Sequence, residues 1–270
     1  MLYPVYALLF ADAGLSTGEI STLFAIWSVV SFAFEVPSGA LADAWSRRGL
    51  YAIGELLTAA GYALWLSWPA FPGFALGFVL CGLGGDAARD ARLRRGRLPA
   101  GGHRMILAVA VAALLPGFSA LDEYLPLLAR EKGAPTTAVP LLFALTALAM
   151  AAGSALAGRY AAPPLPAGAA VVAAVLLAAG ALTANLAGMV VVAAAFGLLQ
   201  FATLRAETRL QEQITGAART TVLSVSGFAA EVFAVVLYAW FALPITLTTL
   251  FAIAAIPLLG TAALEVARRR

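Results

Sequence analysis

Four acidic residues set within long apolar stretches are the ones in this sequence best suited to chemistry: Glu35, Asp122, Glu123 and Glu231. A carboxylate in surroundings of low dielectric constant tends to take up a proton unless a cation compensates its charge. No Lys or Arg lies at the middle of these stretches, and acidic residues at membrane depth are functional candidates by default. We therefore expect proton coupling or cation recognition at these positions. The alternative is a protonated acid that is only hydrogen-bonded to a neighbouring helix.

The four acids differ in their expected depth. Glu35 and Glu231 lie well inside their apolar stretches, whereas Asp122 and Glu123 lie toward the outer end of theirs. We expect water to be close to this second pair. Pro116 and Gly117 come just before it, and such a pair predicts a kink that could aid gating.

The elements that must position these acids are apolar helices. The chain has 270 residues, of which 62% are hydrophobic and 11% charged, and its mean hydropathy is +0.92. Soluble domains have about 45–50% apolar and about 25% charged residues, so a soluble enzyme is excluded. The runs lack the alternation of a β-barrel and predict an all-α, polytopic transmembrane bundle of about ten segments. These are Leu2–Ala13, Glu19–Asp43, Leu50–Trp68, Phe71–Gly85, Met105–Leu128, Ala138–Gly158, Pro166–Leu186, Ala187–Leu204, Thr220–Leu243 and Pro244–Val266.

The basic residues give this bundle an orientation. With the first loop outside, 15 of the 17 basic residues fall on one side, and Arg130 and Lys132 alone fall opposite. The positive-inside rule makes the 15-residue side cytoplasmic, including residues 86–104 and the C-terminus. The orientation of the chain in the lipid bilayer therefore accounts for the Arg clusters, and no nucleic-acid partner is expected. Trp65 and Trp68 are predicted to anchor the outer interface.

Metal and covalent chemistry are not expected. One cysteine, Cys81, permits no internal disulfide, and one histidine, His103, leaves no His-rich metal site. No converging nucleophile and base can be recognised. We therefore expect no metal, no cofactor and no enzymatic activity.

Two parts of the chain resemble each other weakly. Residues 9–25 (LFADAGLSTGEISTLFA) parallel residues 128–144 (LAREKGAPTTAVPLLFA), with Gly14 matched to Gly133. Two related helical halves are common among secondary transporters.

The sequence EVPSGALADAWSRR, residues 35–48, carries a recognisable motif. Gly39, Asp43, Arg47 and Arg48 match the loop signature G-x-x-x-D-x-x-G-R-R, at the cytoplasmic end of the second span. Glu35 lies on the helix face of Gly39 and Asp43, since the three recur at a spacing of four. The pattern resembles the major facilitator superfamily. The stretches 121–131 and 224–238 are also similar to the seventh and eleventh helices of bacterial members.

This resemblance implies a two-bundle architecture of twelve helices. Only four apolar segments precede Met105–Leu128, which would correspond to the seventh helix. The resemblance therefore predicts that the fifth and sixth helices and the start of the first are absent from this chain, with residues 86–104 in place of the fifth and sixth. The predicted domains are an amino-terminal bundle (1–85), an Arg-rich cytoplasmic linker (86–104) and a six-helix bundle (105–270). The resemblance further implies a cytoplasmic gate formed by Gly39, Asp43, Arg47 and Arg48.

The function expected from the resemblance and the buried acids is secondary active transport in a bacterial cytoplasmic membrane. Proton-coupled efflux of a small organic compound is favoured. The alternative is a transport-incompetent truncated or regulatory membrane protein. The expected partners are the lipid bilayer, a small-molecule substrate and protons. A homo-oligomer is left open, because a half-bundle that lacks two helices would expose surfaces that another subunit could cover.

Overall fold

A computed structural model describes residues 6–44, 47–89, 103–160, 165–213 and 218–267. In these ranges the regular structure is helical throughout. The helices are α1 (Tyr6–Asp12), α2 (Thr17–Ala44), α3 (Arg47–Ser67), α4 (Phe71–Arg89), α5 (His103–Gly117), α6 (Leu125–Glu131), α7 (Val139–Arg159), α8 (Leu165–Leu182), α9 (Ala187–Gln213), α10 (Ala218–Phe241) and α11 (Leu247–Ala267), with a 3₁₀ segment (Phe118–Tyr124) between α5 and α6.

The predicted all-α polytopic fold class is confirmed. Five helical stretches are long and apolar enough to cross a membrane: Thr17–Phe34, Ile106–Glu131, Val139–Arg159, Ala187–Glu212 and Leu247–Ala267. Three shorter apolar helices accompany them: Phe71–Leu83, Ala167–Leu182 and Val225–Phe241. Each of the ten predicted apolar segments overlaps at least one helix of the described structure.

One predicted segment, Met105–Leu128, is not a continuous α-helix. Helix α5 ends at Gly117, the 3₁₀ segment follows, and α6 begins at Leu125. Pro116 has no N–H to donate, and its ring crowds the carbonyl one turn earlier. The change of helix type thus follows the Pro-Gly pair at which the sequence predicts a kink.

Helix α9 extends to Gln213, nine residues beyond the predicted segment end at Leu204. The added residues include Arg, Glu and Gln, which are good helix formers although they are poorly soluble in lipid. Hydropathy therefore marks where the apolar stretch ends and not where the helix ends.

The described residues group into two compact units. The smaller comprises Leu8–Arg95 and Ala234–Pro244, and its core is aromatic. Phe10 packs edge-on against Trp65 with ring centroids 5.1 Å apart, and Phe78 lies 4.8 Å from the same indole. Trp65 is 2% exposed and donates its indole N–H to the carbonyl of Phe74 at 3.1 Å. The predicted interfacial anchoring is therefore wrong for Trp65, because α1 and α4 enclose its ring.

The larger unit comprises Met1–Ala7, Gly96–Phe233 and Ile245–Arg270. Glycines bring its helices close together. A Cβ atom at Gly153 in α7 would collide with the carbonyl of Gly197 in α9, and one at Gly180 in α8 would lie 2.8 Å from the carbonyl of Gly188. Small residues at such crossings allow backbones to approach, as in membrane helix pairs. The predicted division into residues 1–85, 86–104 and 105–270 stays a prediction, since residues 90–102 lie outside the described ranges.

The weak internal repeat has a counterpart in backbone geometry. Gly14 and Gly133 have positive φ angles, 89° and 84°. Leu15 N–H bonds the carbonyl of Phe10 at 3.1 Å, and Ala134 N–H bonds that of Ala129 at 2.9 Å. Both are six-to-one bonds of the Schellman type, which end a helix with a glycine in the left-handed region. The two matched sequences therefore end their helices in the same way.

Candidate functional site

The predicted gating motif spans the end of α2 and the start of α3. Gly39 and Asp43 lie in the last turns of α2, and Arg47 and Arg48 open α3. Glu35 lies in α2, two turns before Asp43. The side chains of all five fall outside the described ones, so their roles as gate and as candidate site stay predictions.

A capping box fixes the opposite end of α2. Ser16 donates its backbone N–H and its hydroxyl to the Glu19 carboxylate, both at 2.8 Å. Glu19 N–H in turn bonds Ser16 Oγ at 3.3 Å. This reciprocal pair satisfies N–H groups that have no partner within the helix, and so it sets where the motif-bearing helix begins.

Glu123 is the candidate acid whose surroundings are best defined. It lies in the 3₁₀ segment, is 7% exposed, and accepts a hydrogen bond from the Tyr6 hydroxyl. The sequence position predicts water near Glu123, but neighbouring segments enclose it instead. Asp122, the adjacent residue, is half-buried and takes part in other contacts of the structure. Sequence reasoning could not pair Tyr6 with Glu123, because the two are 117 residues apart.

Glu231 lies in α10, is half-buried and takes part in other contacts of the structure. Its helix packs against the break after α5. The Phe118 and Phe233 rings are 5.0 Å apart, and a Cβ atom at Gly117 would meet Phe233 at 2.6 Å. The absence of a side chain at Gly117 therefore lets α10 reach the point where the helix type changes.

A cavity of about 220 Å³ lies inside the larger unit. Its lining comes from the end of α5, the 3₁₀ segment, α7 and α9, and it includes Ser119, Met150, Phe196, Gln200, Thr203 and Glu207. Sequence analysis missed this site because Glu207 lies beyond Leu204, where the predicted span ends. The signal was nevertheless present: Gln200, Thr203 and Glu207 recur at spacings of three and four, which places them along one face of a helix.

Two adjacent charges outside the cavity cap the ends of two helices. The Glu131 carboxylate accepts the N–H groups of Leu247 and Thr248, which begin α11, at 3.0 and 3.2 Å. The Lys132 ammonium donates to the carbonyls of Ala181 and Thr183 at the end of α8, at 2.7 and 2.5 Å. Desolvation lowers the pKa of Lys132 from its usual value, and the charge of Glu131 opposes that shift.

An ion pair joins α9 to the far end of α11. Arg209 of α9 donates to the Glu265 carboxylate of α11 at 2.9 Å, and the Glu265 side chain is 5% exposed. Within the described part of the chain, no three His, Cys, Asp or Glu side chains converge on a point where they could hold a metal ion.

Comparison with known proteins relates the amino-terminal third of the chain to a family. Residues 1–91 match the model of the Major Facilitator Superfamily. Among solved structures, the chain is similar to a bacterial homologue of the human lysosomal transporter Spinster, crystallised in an inward-facing and unoccupied conformation. The two sequences are 13% identical, the TM-score is 0.42, and the match covers 99% of this chain and 85% of that chain. No curated protein matches the chain. The resemblance predicted from residues 35–48 is confirmed, since the model of that superfamily matches residues 1–91.

Proposed function

We propose that this chain is a secondary active transporter, which exports a small organic compound against an inward flow of protons. The observation that carries the proposal is the superfamily match over residues 1–91, which encloses the loop motif from Gly39 to Arg48. The long apolar helices support a multi-pass location. The basic residues favour a bacterial cytoplasmic membrane with the C-terminus in the cytosol.

The loop motif supplies the proposed cytoplasmic gate. Asp43 would stabilise the state that is closed toward the cytosol, and Gly39 would permit close approach of a neighbouring helix. Arg47 and Arg48 would hold the loop on the cytosolic side. These roles rest on the resemblance and on the position of the motif between α2 and α3.

Glu123 is the proposed coupling acid. A carboxyl group in a buried site changes strongly in energy when it gains or loses a proton. The Tyr6 hydroxyl donates a hydrogen bond to this carboxyl group. The 3₁₀ segment that carries Glu123 follows Pro116 and Gly117, and a stretch of this helix type within a longer helix often marks a hinge. Protonation could therefore act where the helix can bend. Glu35, Asp122 and Glu231 are the other candidates.

The test separates coupled from uncoupled movement in proteoliposomes. Glu123→Gln should abolish uphill transport driven by a pH gradient while sparing downhill exchange, measured with a panel of small organic cations, anions and neutral compounds. Glu55→Gln, which changes an exposed acid of α3, is the matched control and should transport normally. Full proton-driven accumulation by Glu123→Gln would remove the residue from the coupling role. Absence of movement for every compound with the unmodified chain would favour the transport-incompetent alternative.

A further inference from the structure

The cavity beside the helix break has a mainly apolar lining with a few polar groups. Apolar and aromatic side chains, among them Met150 and Phe196, form most of its wall. Polar groups come from Ser119, Gln200 and Thr203, and Glu207 is the single charged residue. Among the described residues that line it, none is Lys, Arg or His.

Glu207 has no hydrogen-bond or ion-pair partner in the described part of the chain, although it is half-buried. The cations on the same helix are engaged elsewhere. Arg209 pairs with Glu265 at 2.9 Å, and Arg205 reaches the carbonyl of Ala157 at 3.4 Å. A carboxylate in a partly enclosed site is stabilised when a cation or a hydrogen-bond donor meets it. Among the described residues that line the cavity, no cation offsets the charge of Glu207.

The size of the cavity limits what can supply that charge. An apolar cavity of about 150 Å³ holds benzene, and drug-sized ligands use about 300–1,000 Å³. A volume of about 220 Å³ therefore fits a compound with one ring or a few short alkyl groups. Phe196 contributes an aromatic ring to the lining, and Met150 contributes a polarizable thioether.

We propose that this cavity binds a small organic cation, with its ammonium group against Glu207 and its apolar body among Met150, Phe196 and their neighbours. The inference rests on the proposed transport function and names its substrate class. Gln200, Thr203 and Ser119 would orient the ligand or the water around its charged end. Glu207 thus becomes the specificity residue, separate from Glu123 as the coupling acid.

The experiment measures binding to the purified full chain in mild detergent by calorimetry. The probe is benzyltrimethylammonium, whose charge does not change with pH. Its comparator is 2-methyl-1-phenylpropan-2-ol, a neutral compound of nearly the same shape. The unmodified chain should bind the cation at least about tenfold more tightly than the alcohol. Equal affinities, or no binding of the cation, would overturn the proposal.

Variants assign the preference to Glu207. Glu207→Gln should weaken binding of the cation about tenfold or more and leave binding of the alcohol unchanged, which also reports that the variant is folded. Glu212→Gln, at an exposed acid of the same helix, is the matched control and should bind both compounds normally. Cation affinity retained in Glu207→Gln would refute the assignment. If Glu207→Gln does not fold, Glu207→Asp replaces it and should weaken cation binding without changing alcohol binding.

A spectroscopic readout locates the ligand. With ¹³C-methyl methionine, the cation should shift the resonance of Met150, which lines the cavity, and leave that of buried Met189 in place. A shift confined to Met189 would place the ligand elsewhere. Because these measurements need no transport, a chain that binds the cation but moves nothing would fail the proposed function and keep this inference.

Discussion

Glu131 and Lys132 show how single side chains hold the larger unit together. Their charges are opposite and adjacent in sequence. Glu131 faces the N-terminus of α11, and Lys132 faces the C-terminus of α8. A carboxylate is stabilised at a helix N-terminus and an ammonium group at a C-terminus, by about 0.3–1 kcal/mol each at exposed sites and up to about 2 kcal/mol when partly buried. Lys132 is also one of the two basic residues that break the charge rule. Its contacts with α8 give that exception a structural reason.

Removal of the Lys132 ammonium should destabilise the larger unit. Lys132→Met leaves the apolar stem but takes the donor from the carbonyls of Ala181 and Thr183. We expect unfolding in mild detergent to become easier by about 1–2 kcal/mol. Arg159→Met, at an exposed basic residue that ends α7, should lower stability by less than about 1 kcal/mol, the dipole contribution of an exposed cation at a helix C-terminus. Equal stability of the two variants would show that the capping contacts contribute nothing.

Sequence reasoning reached these residues unevenly. It named Glu123 as a candidate from its apolar surroundings, but it did not pair Glu123 with Tyr6, and it missed Glu207 and the helix caps formed by Glu131 and Lys132. The hydrogen bonds of Lys132 join residues 49 and 51 positions apart, and nothing in local composition encodes such a pairing. The burial of Glu123 depends on how the helices pack, which local sequence does not encode. Its position toward the outer end of an apolar stretch therefore predicted water nearby.

Helices, in contrast, follow closely from apolar run length. The ten predicted segments each overlap a described helix. In a bilayer, a stretch of about 20 apolar residues satisfies its backbone hydrogen bonds within itself only as a helix. Ends were less predictable where polar helix formers continue α9 to Gln213. Helix crossings were not predictable at all, since a glycine in an apolar run looks the same whether it faces a neighbouring helix or open space.

The crossing of α7 and α9 should depend on Gly153. A methyl group there would collide with the carbonyl of Gly197, and backbone cannot move aside as a flexible side chain can. Gly153→Ala should lower stability by about 1–3 kcal/mol. Gly158→Ala, in the same helix with nothing within 4 Å of the added carbon, should be neutral or stabilising by up to about 1 kcal/mol. Thermal unfolding of both variants in one detergent checks this, and equal effects would mean that the crossing tolerates separation.

The whole molecule should sit in the membrane with residues 86–104 in the cytosol and 129–137 outside. Ala134 is buried, so the exposed Thr136 is the better reporter for the outer loop. In a Cys81→Ala background, Thr136→Cys should react with an impermeant thiol reagent in intact cells. Ala100→Cys should react only after the cells are opened. Labelling of both in intact cells would contradict the orientation drawn from the basic residues.

The family match covers residues 1–91 of the chain. The amino-terminal third was recognisable because its loop motif is a fixed set of residue types at fixed spacing. Gly133, outside that third, ends its helix as Gly14 does within it, with φ angles of 84° and 89°. Such backbone features tolerate many sequences, so they leave the substrate unnamed. The substrate class had to be inferred from a cavity, and the cavity could not be foreseen.

The central claim, that this chain couples proton flow to movement of a small organic compound, is tested most directly by substrate-triggered proton flux. The purified chain is reconstituted into vesicles that contain a pH-sensitive dye, and a gradient of benzyltrimethylammonium is imposed. We predict that the unmodified chain moves protons opposite to the cation, and that Glu123→Gln abolishes this flux. No proton movement from correctly oriented, folded protein, with this cation or any other small organic compound, would contradict the account.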